Sequence, residues 1–137
     1  WTIPAERMKA NIAHRIPLTD RCEEILKEAK NVSLGSEYIF YGYKRDKPLS
    51  ENTFNKLIKE LGYDVHTHGF RTSFKTWTQE QTNYPREVAE KQLAHSLSDK
   101  AEAAYARSEL IDKRHSLLED WRDYLCTNEA KVVSIRN

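Results

Sequence analysis

Apolar side chains recur every three or four residues along most of this chain, and that period belongs to helices. Cys22, Ile25, Leu26 and Ala29 follow it, with Asp20 and Glu23 at capping-box spacing, so a helix is predicted over residues 20–30. Phe54, Leu57, Ile58 and Leu61 predict a second helix with a buried stripe, capped by Ser50 and ended by Gly62. Phe70, Phe74 and Trp77 repeat at i, i+4, i+7 and predict a third, starting near Gly69. Pro85 suits the first turn of a fourth, running to about Leu93. Ser98 would cap a fifth holding Ala101, Ala104 and Tyr105, and Leu110, Leu117, Leu118, Trp121 and Leu125 mark a long sixth. Chain breakers are scarce: four Gly and four Pro are too few for a sandwich or barrel of many short strands. Residues 1–4 and 14–18 read as short strands joined by a basic loop. Residues 38–41 are apolar but short and fall in a loop, and Val132, Val133 and Ile135 form a strand-like tail. The expected class is α+β, mainly α-helical, with a small antiparallel sheet at the N-terminal edge.

A chain of 137 residues suits one domain. Its net charge of +1 means that any nucleic-acid surface must be a local patch. Residues 65–77 carry Arg71, Lys75 and two histidines without a carboxylate, and residues 7–15 carry Arg7, Lys9, His14 and Arg15. Cys22 and Cys126 have no metal-like spacing, and the composition suits a reducing compartment. No apolar run approaches membrane-spanning length and no signal peptide is visible. Residue 1 is Trp, and strand-like sequence follows at once, so the chain is expected to be a piece of a longer protein.

The run Thr67-His68-Gly69-Phe70-Arg71 carries the clearest chemistry. His68 and Arg71, three apart at a helix start, share a face. Amide donors at such an end favour anions, and a guanidinium grips two phosphate oxygens at once. His-x-x-Arg alone is common, as is a capping histidine beside a surface arginine. Leu93-Ala94-His95-Ser96 and Glu102-Ala103-Ala104-Tyr105-Ala106-Arg107 are equally ordinary singly.

In combination they are specific. The order Lys9, His68-x-x-Arg71, Leu93-Ala94-His95, Tyr105 resembles the tyrosine recombinase family, and most of all the integrases of prophages and satellite phages. The likeness is carried by Ile3-Pro4-Ala5-Glu6-Arg7-Met8-Lys9, His14-Arg15-Ile16-Pro17-Leu18 and His68-Gly69-Phe70-Arg71-Thr72-Ser73-Phe74. Residues 80–90 and Ala104-Tyr105-Ala106-Arg107-Ser108 extend it, so that it covers nearly the whole chain to about residue 125.

The resemblance implies a catalytic domain that cuts one DNA strand at a time, holds the break as a phosphotyrosyl ester, and reseals it with a 5′-hydroxyl of another strand. No cofactor or metal is needed. It implies Tyr105 as nucleophile, Arg71 on the non-bridging oxygens, and His68 helping to move the tyrosine proton. It further implies His95 as hydrogen-bond donor to the phosphate and Lys9 as proton donor to the leaving 5′-oxygen. The chemistry needs such groups. A tyrosine with reference pKa near ~10 is rarely ionised at neutral pH. Pre-aimed donors on the equatorial oxygens are worth about 3 kcal/mol each, and a poor alkoxide leaving group needs a proton. Arg7, Arg15, Lys75, Arg86 and Arg107 are candidate DNA contacts.

The implied partners are double-stranded attachment sites and further copies of the protein, four to a synapse, in the bacterial cytoplasm at the nucleoid and not at a membrane. The family uses two arginines on the phosphate, and only Arg7, in the basic loop, precedes Lys9. Residues 1–137 are therefore expected to be the C-terminal part of an integrase catalytic domain, without the N-terminal DNA-binding domain, and to cleave DNA poorly alone. Two other classes compete: a DNA-binding or assembly module without catalysis, and a metal-dependent hydrolase using His66, His68 and His95.

Overall fold

A computed structural model describes residues 1–33, 35–44, 47–95 and 108–127. The predicted fifth helix with its Ser98 cap, the residues Tyr105 and Arg107, and the tail around Val132 lie outside them. Among the described residues there are five α-helices and one two-stranded antiparallel sheet, the mainly helical class expected from the sequence. They are β1 (Thr2–Ile3), β2 (His14–Arg15), α1 (Asp20–Val32), α2 (Thr53–Glu60), α3 (Gly69–Gln81), α4 (Arg86–Gln92) and α5 (Ile111–Thr127). The chain forms two compact units, Trp1–Thr19 with Pro85–Asn137, and Asp20–Tyr84.

The first unit holds the sheet, α4 and α5. Thr2 pairs with Arg15 and Ile3 with His14, so the basic stretch between them is a connection, and it contains a 3₁₀ turn over Ala5–Arg7. Helices α4 and α5 pack together, and Val88, Ala89, Leu93 and Leu117 of this unit are buried. Arg114 is the buried polar hub of this unit. Its Nε donates to Gln92 Oε1 at 2.9 Å, its Nη1 to the Glu109 carbonyl at 3.2 Å, and its Nη2 to the Arg15 carbonyl. One guanidinium thus ties β2, the end of α4 and the start of α5, because its rigid fork can serve three acceptors at once. Burial pushes its pKa down, Glu109 opposes that shift, and Arg15 adds to it.

The second unit holds α1, α2 and α3. Helix α1 carries exposed charge pairs, Arg21 with Glu24 and Lys27 with Glu23, each worth only a few tenths of a kcal/mol. The loop after it closes through a bridge between Tyr41 and Pro48. Here Gly42 has no room for a side chain, since a Cβ would stand 2.6 Å from the Pro48 carbonyl oxygen.

Two expectations for α2 are corrected. Ser50 does not cap it with its side chain; the helix starts at Thr53, whose N–H donates to the Ser50 carbonyl. The stripe of Phe54, Leu57 and Leu61 is exposed, and Ile58 is half-buried. In α3, Phe74 and Trp77 are buried as expected, with ring centroids 6.3 Å apart, whereas Phe70 is exposed.

Candidate functional site

The sequence candidates divide between the units. His68, Arg71 and Lys75 belong to the second. His68 immediately precedes α3, with φ −63° and ψ −30°, and its side chain makes no capping bond. Its ring is exposed, as is Arg71 one turn on. The segment ahead of them is pinned: Asn55 Oδ1 accepts the Thr67 N–H at 3.0 Å and the Thr67 hydroxyl at 3.1 Å. Asn55 lies on α2, so one polar side chain fixes where the His68 run begins.

The expected open amide donors at this helix start are not observed. Gly69, Phe70 and Arg71 donate their N–H groups to the carbonyls of His66, Thr67 and His68 at 2.8, 3.2 and 3.1 Å. A tight first turn consumes them, so recognition of an anion here falls to the side chains. Lys75, one turn beyond Arg71, is half-buried.

In the first unit, Lys9 is exposed in the turn between β1 and β2, just after Arg7 closes the 3₁₀ turn. Arg15 on β2 makes a surface ion pair with Glu109 at 3.2 Å while its carbonyl serves Arg114. Arg86 begins α4, and its Nε lies 3.5 Å from Glu90 Oε1.

His95 follows the end of α4. That end is a Schellman turn: Ala94 N–H donates to the Lys91 carbonyl at 3.1 Å and His95 N–H to the Glu90 carbonyl at 2.9 Å. The turn requires a left-handed residue, and Ala94 takes that place with φ 53°. The imidazole Nδ1 lies 2.6 Å from Glu90 Oε2. Glu90 is buried, with Val88 and Ala89 beside it. An ionised Glu90 only accepts, and in that state Nδ1 carries the proton of this bond. Lys91 Nζ donates to the carbonyl of Ser108.

Sequence reasoning missed Glu90, Ala94, Asn55 and Arg114. None of them left a clear signal: Glu90 is one more glutamate in the last turn of α4, five residues before His95. Among the described residues no group of three His, Cys, Asp or Glu gathers as metal ligands, and no helix is long and apolar enough to cross a membrane. Cys22 and Cys126 are exposed thiols.

Comparison with known proteins agrees with the sequence motifs. The chain belongs to the phage integrase family, which it matches over residues 1–110. It is 33% identical to the integrase of Enterobacteria phage P4 over 98% of this chain and 35% of that protein. Prophage integrase IntA of Escherichia coli (strain K12) is 36% identical over 90% of this chain and 30% of its own length. The integrase of Shigella phage Sf6 is 33% identical over 90% and 33%. The chain therefore spans about a third of the length of these relatives. No solved structure matches it.

Proposed function

We propose that this chain carries most of the catalytic residues of a site-specific recombinase that cuts and rejoins DNA through a phosphotyrosyl ester on Tyr105. The observation that carries the reading is that the family match over residues 1–110 spans Lys9, His68, Arg71, His95 and Tyr105 together. Arg71 binds the non-bridging oxygens, His68 assists deprotonation of the tyrosine, His95 donates to the phosphate, and Lys9 protonates the leaving 5′-oxygen. The exposure of His68, Arg71, Lys9 and His95 supports a substrate as large as duplex DNA. Arg7, Arg15, Lys75, Arg86 and Arg107 contact the backbone around the scissile phosphate.

The substrate is an attachment site of integrating DNA, acted on by an assembly of four copies in the bacterial cytoplasm at the nucleoid. The chain holds one of the two arginines that the resemblance implies, so the 137-residue chain alone captures little DNA. The test is covalent trapping of the full protein on a nicked duplex spanning the attachment site, with the modified peptide identified by mass. Attachment at Tyr105 and its loss in Tyr105→Phe are expected. Unimpaired recombination by Tyr105→Phe would instead favour a binding or assembly module without catalysis.

A further inference from the structure

We propose that Glu90 is a positioning residue that sets the orientation and proton placement of His95; the inference rests on the role given to His95 above. Glu90 holds His95 at two points, its carbonyl accepting the His95 N–H at 2.9 Å and its carboxylate accepting Nδ1–H at 2.6 Å. A backbone bond and a side-chain bond to the same residue fix both the position of the Cα and the rotation of the ring. Arg86, from the first turn of α4, places its guanidinium 3.5 Å from the other carboxylate oxygen.

Burial makes this arrangement informative. A carboxylate inside an apolar layer costs free energy unless it is paired, and a helix end can be closed without one. Glu90 lies beside Val88 and Ala89, both buried, yet the imidazole it holds is exposed. A charge kept inside to hold a ring that faces outward is what a hydrogen-bonding group on an external anion requires. With the proton of Nδ1 committed to Glu90, Nε2 is the nitrogen on the opposite edge, the one that serves a phosphate oxygen. When Nε2 donates, the ring is an imidazolium, and the carboxylate behind it balances that charge. Ala94 completes the device: a left-handed alanine sets the direction of the chain into His95.

The test is a double-mutant cycle in the full protein, measuring single-turnover cleavage of the nicked attachment-site duplex. Glu90→Ala is expected to slow cleavage by about 10- to 100-fold, as loss of a carboxylate behind a functional histidine does elsewhere. In a His95→Ala background the same change is expected to alter the rate by less than about twofold, because Glu90 acts through the ring. Glu90→Gln keeps an acceptor and the fold, and is expected to fall between native and Glu90→Ala; it carries the test if the alanine variant does not fold. Nitrogen shifts of the His95 ring, measured by NMR, are expected to place its proton on Nδ1 in the native protein and to move toward Nε2 in Glu90→Gln. Native cleavage rates in both Glu90 variants would overturn the inference. So would an equal loss with and without His95, which marks a purely structural carboxylate. If His95→Ala itself cleaves at the native rate, the role of His95 falls and this inference with it. If His95→Ala is slow while the Glu90 variants are not, only the inference falls.

Discussion

Helices α2 and α4 end in the same way and to different purposes. Each closes with a leucine, a left-handed residue and a ring: Leu61-Gly62-Tyr63 after α2, Leu93-Ala94-His95 after α4. The hydrogen bonds correspond one for one. Gly62 donates to Lys59 and Tyr63 to Ile58, as Ala94 donates to Lys91 and His95 to Glu90. The surroundings differ. Leu61 is 64% exposed and Leu93 only 8%. Glycine adopts φ 86° at little cost, whereas an alanine at φ 53° gives up about 1–2 kcal/mol. The first end only has to stop a helix. The second, on the role proposed for His95, also has to aim a side chain, and its left-handed residue stands between buried Leu93 and a His95 whose N–H is bonded to the Glu90 carbonyl.

Five substitutions would break or sharpen this contrast, each measured by urea denaturation. Leu93→Ala is expected to cost about 3 kcal/mol through the cavity it leaves, against at most about 0.5 kcal/mol for Leu61→Ala on the surface. Comparable losses at the two sites would erase the distinction. Ala94→Val is expected to cost about 2 kcal/mol, because a β-branched residue tolerates the left-handed region poorly. Gly62→Ala should cost about 1 kcal/mol through φ alone, since the space around Gly62 is open. Ala94→Gly is expected to gain about 0.5 kcal/mol, relief of strain exceeding the added freedom of the unfolded chain. A loss there would mean that the alanine methyl group matters more to the turn than its backbone does.

These two helix ends also show what a sequence discloses. Gly62 was legible as a stop because glycine advertises a left-handed residue, and the start of α3 at Gly69 and the β1–β2 pairing followed from period and turn chemistry. Ala94 advertises nothing, since alanine is the best helix former, and only the backbone shows it turned the other way. The stripe of Phe54, Leu57 and Leu61 has the period of a buried face, yet it faces solvent. Periodicity tells which residues share a face, not what covers that face. Glu90 was invisible for a related reason. A glutamate in the last turn of a charged helix reads as solvated, and its burial shows only in the folded chain. The candidates His68, Arg71 and His95 were legible only as a set, because each motif alone is commonplace.

The permanence of one charge has a practical consequence. A guanidinium keeps its proton in proteins, and although burial lowers the Arg114 pKa, it does so from far above the physiological range. A ring N–H of His14 facing the Gln92 carbonyl, 3.3 Å from Nε2, can donate whether or not the ring is charged. Acid strong enough to convert every imidazole in the chain therefore leaves the brace beneath α4 in place. On the role proposed for His95, a rate profile taken across that range would report on the site and not on the collapse of the helix end that carries it.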